Sequence, residues 1–255
     1  MRRSSRIGVM TAMPQEFGRL ASRLGVHTTE RIGPREFGRA RFGDVELVLV
    51  ISNVGKVAAA ATATLLIDRF GVDAVVFTGV AGGISPTVGI GDIVIADHLI
   101  QHDIDLKGVL GFNRFEVPSL KKAFIPADLG LSAIAREAAK AVASYQPYYH
   151  AVQQLSARLP EVHSGVIGSG DRFVSDHVDK QSLRAAIPEL TAVEMEGAAV
   201  AQVCAEHERP FVVSRIISDA AADTADVDFI AFIERAAAVG SEQFVVEFLS
   251  RMRTA

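Results

Sequence analysis

Two short stretches carry acids at places where chemistry can be done. Val193-Glu194-Met195-Glu196-Gly197 puts two carboxylates directly after an apolar run, and Ser214-Arg215-Ile216-Ile217-Ser218-Asp219 ends a second apolar run in an acid. A carboxylic acid partly desolvated at a strand end holds its proton more tightly and can deliver it to a substrate. Strand alternation would put Glu194 and Glu196 on one face and Met195 on the other, but a chain leaving its strand need not keep that alternation. One of the two glutamates is therefore expected to point into a site. Glu16 follows another apolar run, Ile7–Met13, and is a candidate general base. Each of these acids also has a plainer use. Glu16 falls in the first turn of a helix, where the dipole favours a carboxylate, and an aspartate such as Asp219 commonly closes a turn.

Other constellations are less specific. Gly79-Val80-Ala81-Gly82-Gly83 follows a strand and could let a planar ligand lie against bare backbone. It lacks the spacing of a dinucleotide fingerprint, and neither it nor Gly55-Lys56-Val57 is a Walker loop; a tight turn is the expectation. His102-Asp103-Ile104-Asp105 offers a poor ligand set, and the seven histidines show no metal spacing. No metal and no organic cofactor are expected. Phe173 and Phe229 are, as aromatics, core candidates as well as stacking platforms.

The elements that must position these groups alternate between strand and helix. Arg6–Met13 reads as a buried strand and Pro14–Leu24 as an amphipathic helix with proline in its first turn. Val26–Ser52, punctuated by glycines, reads as a meander of short strands. A helix follows from Gly55 to about Phe70, then a strand over Asp73–Thr78 with Gly79–Gly83 as its loop. Asp92–His102 and Glu161–Gly168 are further strands, Leu129–Ser144 and Asp179–Ala186 helices, and Leu106–Asp128 a loop-rich excursion. Tyr145–Pro160 has no clear pattern. Gly197–Ala205 is helical in composition, Phe211–Ile217 a strand, and Asp228–Met252 one long closing helix. The pattern predicts an α/β fold, a single domain over residues 1–255 with a mixed central β-sheet flanked by helices. Ligand crevices in such sheets open at the carboxyl ends of strands, where these acids stand.

Composition narrows the class. Of 255 residues, 49% are apolar and 22% charged, with a net charge of −4, which argues against a nucleic-acid partner. The N-terminal arginines precede an apolar run too short for a secretory core, and nothing is long enough to span a bilayer, so neither a membrane partner nor export is expected. The single Cys204 is read as a small buried hydrophobe. A cytoplasmic location is expected.

With these pieces in order, the chain resembles the nucleoside phosphorylase/nucleosidase superfamily, and within it the bacterial methylthioadenosine/S-adenosylhomocysteine nucleosidases. Ile7–Met13 with Glu16, Val54–Ala60, Thr78–Gly83, Gly91–Val94, His102–Asp105, Ser169-Gly170-Asp171 with Phe173, Val193–Gly197 and Arg215–Asp219 carry the likeness in family order. The resemblance implies a phosphorylase-like three-layer fold and hydrolysis of the N-glycosidic bond of a purine nucleoside, in the salvage of methionine. By position it makes Glu16 the group that activates water and Asp219, held by Ser218, the acid that protonates purine N7. Glu196 would bind the ribose hydroxyls, with Met195 under the sugar. Phe173 would stack on the base, Val174 would offer backbone to its edge, and Ala81 and Gly82 would line its pocket. Arg215 would lie near the sugar and the water, and Met13, Val54 and Phe229 near the 5′ substituent. A homodimer is implied on the same basis.

Two departures stand out. Val80 occupies a place where family members generally carry a small hydroxyl residue, and the segments Leu106–Asp128 and Tyr145–Glu161 look different from the compact nucleosidases. Alternatives remain open: a phosphorylase of the same fold, a futalosine-type nucleosidase, or a nucleoside-binding protein without turnover. Ala12-Met13-Pro14-Gln15-Glu16 puts an acid where a phosphorylase would bind its anion, which favours water.

Overall fold

Near-continuous burial along the apolar runs makes the centre of this molecule a sheet covered on both faces, as parallel strands require. The computed structural model describes residues 5–109, 111–156, 158–219 and 229–253. Its strands are β1 (Arg6–Thr11), β2 (Thr28–Ile32), β3 (Arg35–Phe42), β4 (Val45–Ile51), β5 (Ala74–Gly83), β6 (Ile93–Gln101), β7 (Ile125–Pro126), β8 (Val162–Ser169), β9 (Leu190–Glu194) and β10 (Phe211–Asp219). The helices are α1 (Pro14–Leu24), α2 (Lys56–Asp68), α3 (Leu129–Ala143), α4 (Gln146–Gln153), α5 (His177–Ala186), α6 (Gly197–Glu206), α7 (Phe229–Phe232) and α8 (Ala238–Met252), with a π-helical turn at Ile233–Ala237.

The strand order is β10-β6-β8-β9-β5-β1-β4-β3-β2, and β10 also pairs with β5. The sheet therefore closes into a ring through β5, β10, β6, β8 and β9, from which β1, β4, β3 and β2 extend as an open wing. β5 is common to both parts. One of its edges is taken by β10 from Val75 to Gly82. The other is shared, with β1 along Ala74–Thr78 and β9 at Gly82 and Gly83. Between those two partners the edge has no strand beside it, and the site lies there.

The mixed sheet matches expectation, but three local expectations do not survive, and one stretch that offered none gains a helix. Gly79–Gly83 is not a loop: β5 runs straight through it. At Gly82 a side chain would be crowded, since a Cβ there would stand 3.2 Å from the Asp219 carboxylate. Within the patternless stretch after Tyr145 there is a helix, α4, whose buried Tyr148 donates to the Gly91 carbonyl. The closing helix is interrupted by the π turn, where the Ala238 N–H bonds the Ile233 carbonyl. β10 extends to Asp219, so the acid is the last residue of the strand. Leu106–Asp128 is the loop-rich excursion expected, with β7 near its end. Among the described residues no helix is long and apolar enough to cross a membrane.

Candidate active site

In α1, residues Glu16, Leu20 and Leu24 recur every fourth position and form the buried face. Helical periodicity therefore places a carboxylate in line with two leucines, facing the core. Glu16 Oε1 accepts from the Ser241 hydroxyl at 2.8 Å, and Oε2 accepts from the Met13 N–H at 3.3 Å, half of a capping box at the helix start. Burial pushes the Glu16 carboxyl up to about 7, against the opposing pull of Ser241, Arg215 and the Met13 amide.

The β9–α6 junction is organised by Glu194. Its carboxylate accepts the Glu196 N–H at 3.1 Å and the Gly197 N–H at 2.9 and 2.8 Å, capping the N-terminus of α6. Ser169 donates its hydroxyl to the same group. Arg215, fully buried, completes the set with an ion pair at 2.6 Å to Glu194 Oε2, its guanidinium 4.0 Å above the Phe77 ring. A carboxylate so fully used holds geometry rather than moving protons. Glu196, two residues on, is 5% exposed and accepts the Gly55 N–H at 2.9 Å. Burial, then the neighbouring Glu194 anion, pushes the Glu196 carboxyl up to about 7, with Arg215 opposing.

Gly55 can donate because it turns with φ +96 at the start of α2. The loop after β8 is tied to the same point. Lys56 N–H donates to Asp171 Oδ1 at 2.8 Å, Asp171 N–H to Asp103 Oδ2 at 3.0 Å, and Lys56 Nζ to Asp103 Oδ1 at 2.5 Å. The Lys56 contact and the neighbouring amide hold Asp103 below its ordinary value despite burial. The Gly55-Lys56, His102–Asp105 and Ser169–Asp171 motifs thus form one clamp. Among the described residues no three His, Cys, Asp or Glu side chains gather as metal ligands.

On the opposite wall, β10 delivers Ser218 and Asp219. The Ser218 hydroxyl donates to Asp219 Oδ1 at 3.1 Å, and Lys180 of α5 donates to Oδ2 at 2.5 Å. Between the walls is a cavity open to solvent on one side. It is lined by Met13, Val54, Ala81, Gly82, Phe173, Val174, Met195, Glu196, Ser218 and Asp219, together with Ala12, Val80, Arg172, Val193 and Glu194. Glu16 and Arg215 are buried behind this lining, with Arg215 turned to Glu194. Phe173 and Val54 stand at the mouth, 62% and 59% exposed. Phe229 opens α7, and its side chain lies outside the described residues.

Sequence reasoning passed over Lys180, Ser241 and the Glu194–Arg215 pair. α5 has the composition of a solvated helix, and Ser241 lies among small residues of α8, so neither gave a signal. Glu194 gave one, as an acid at a strand end, but not its partner.

Such a fold, with acids on facing walls of one apolar cavity, defines a class. The chain matches the phosphorylase superfamily over residues 6–250 and belongs to it. A 5′-methylthioadenosine/S-adenosylhomocysteine nucleosidase of Bacillus velezensis is 38% identical over 247 residues, covering 97% of this chain and 99% of the relative. The crystal structure of the Campylobacter jejuni nucleosidase of that name superposes with a TM-score of 0.83 at 32% identity, covering 97% of this chain and 99% of the other. The futalosine hydrolase of Helicobacter pylori superposes with a TM-score of 0.82, also at 32% identity, over 97% of this chain and 98% of its own.

Proposed function

We propose that this chain hydrolyses the N-glycosidic bond of a 5′-thio purine nucleoside, 5′-methylthioadenosine or S-adenosylhomocysteine, releasing adenine and the free thioribose derivative. The observation that carries this is the placement of acids around one cavity: Asp219 with Ser218 on one wall, Glu196 with Met195 on the other, and Glu16 behind. Rupture of the bond leaves positive charge on the sugar and negative charge on the base. An acid at N7 neutralises the base, a carboxylate at the ribose hydroxyls stabilises the sugar, and a base near C1′ takes a proton from water. General acid–base help of this kind is worth roughly 10²–10⁴-fold per group.

Glu16, with its carboxyl at about 7, is matched to accepting a proton from water near neutral pH. Its buried negative charge behind the end of β1 disfavours a phosphate dianion there, which supports water over phosphate as the nucleophile. Phe173, Val54 and Met13 all line the cavity; in this reading Phe173 covers the base and the other two meet the 5′ group. Methionine salvage in the cytoplasm and a homodimeric assembly belong to the same reading; light scattering that gives a single chain mass of 27.2 kDa would remove the dimer.

Likeness to the futalosine hydrolase supports a second substrate, with a different 5′ substituent. One experiment separates the possibilities. Methylthioadenosine, S-adenosylhomocysteine, adenosine, inosine and futalosine are incubated with the protein, with and without phosphate, and free base is assayed. Adenine release from the first two without phosphate is expected. Strict dependence on phosphate would replace hydrolase with phosphorylase, futalosine-only turnover would select the second substrate, and no release from any would leave a binding protein.

A further inference from the structure

Lys180 is buried, 5% exposed, on a helix whose other side chains are mostly exposed. An ammonium taken from water is costly unless paired, and its partner is the Asp219 carboxylate at 2.5 Å. That carboxylate is held from three directions: Lys180 on Oδ2, Ser218 on Oδ1, and the bare backbone of Gly82 beneath. The other charged groups of the cavity wall are turned elsewhere. Arg172 pairs with Asp179 of α5, Glu194 with Arg215, and Glu196 takes the Gly55 amide.

We propose that Lys180 is a positioning residue for the general acid, fixing the Asp219 carboxyl and stabilising the carboxylate left when its proton has passed to the purine. This rests on the role given to Asp219 above. In the step, the C1′–N9 bond breaks and its electron pair enters the purine ring. The Asp219 proton moves to N7, water adds to C1′, and the proton of that water passes to Glu16. Solvent then returns a proton to Asp219 and takes one from Glu16, so nucleoside and water have become purine and sugar.

A fixed cation beside Asp219 favours the anion that develops in this step more than the neutral acid that begins it, which is differential stabilisation of the transition state. Removing it should therefore slow the chemical step while leaving substrate binding largely as it is. A lysine that only pinned α5 against β10 would alter stability and leave kcat in place.

The test is kcat and KM on methylthioadenosine for Lys180→Met, Lys180→Gln and Lys180→Arg. Lys180→Met is expected to lower kcat about 10²-fold, with KM changed less than about threefold. Lys180→Arg should restore most of kcat. Should Lys180→Met fail to fold by circular dichroism, Lys180→Gln is read in its place, with the same loss expected. In an Asp219→Asn background the lysine substitutions should add nothing. A kcat of Lys180→Met within about threefold of the parent overturns the role of Lys180. Undiminished turnover by Asp219→Asn overturns instead the acid beneath it, so the two failures are distinguishable.

Discussion

Where β1 and β9 end, Glu16, Glu194 and Glu196 are buried, none more than 7% exposed; where β10 ends, Asp219 keeps 39% of its side chain exposed and faces a lysine. The same functional group is thus handled in two ways across one cavity. At the first corner desolvation sets proton affinity, bringing Glu16 and Glu196 to about 7, and one member, Glu194, is spent on holding Arg215 and the start of α6. At the second, an ion pair and a hydroxyl fix orientation while the group stays open to a ligand. A proton acceptor is stored in the dry corner, and the proposed donor stands in the wet one.

The sharpest way to break this contrast is Asp219→Asn, which removes the donor and leaves the dry corner intact. Adenine release should fall by about 10³-fold or more, with the fold retained by circular dichroism. Next in size is Glu194→Ala. It leaves the buried Arg215 without its carboxylate and α6 without its cap, and should cost about 3–5 kcal/mol in urea unfolding. A loss under about 1 kcal/mol would mean that the pair is not the structural centre of its corner.

A third comparison uses pH. Glu16 binds its proton more tightly in the folded protein, at about 7, than at its ordinary 4.5. Keeping it ionised therefore costs stability above pH 7, and the cost disappears as pH falls toward 4.5. Glu16→Gln carries no such dependence. The stability of the variant relative to the parent should be about 2 kcal/mol more favourable at pH 8 than at pH 5.5, measured by urea unfolding; a constant difference would show that burial does not set this proton. The same variant should lose most of its turnover. Smallest of all is Val80→Ser, which adds a hydroxyl at the wall between the corners. Turnover should change by about threefold or less, and a large increase would show that the valine withholds a polar contact the water needs.

The dry corner was largely legible in the sequence. Glu16 and Glu196 follow apolar runs closely, and strand ends are where such sheets bind ligands. Asp219 was legible for the same reason. What escaped is whatever depends on distant elements meeting. Nothing near Lys180 announces that its helix will lie against the end of β10, and nothing near Ser241 announces Glu16, 225 residues away. The glycines of β5 misled in an instructive way. Glycine commonly marks a turn, but Gly82 sits within a strand, bare where the Asp219 carboxylate passes over it. A strand that must lie under charged side chains therefore looks, in sequence alone, like a loop.

The π turn at Ile233–Ala237 holds one residue more than an α-helix would need over that span. Deleting a single residue there would let the helix wind regularly over the same span, whereas inserting one more would rotate everything beyond it by about 100°. Ser241 would then leave Glu16, and Gly240 would lose its close fit against Ile216 and Tyr148. The proton affinity of a carboxylate at the opposite end of the chain is thus set partly by a count of residues, so this stretch should tolerate substitution, or the loss of one residue, far better than an insertion.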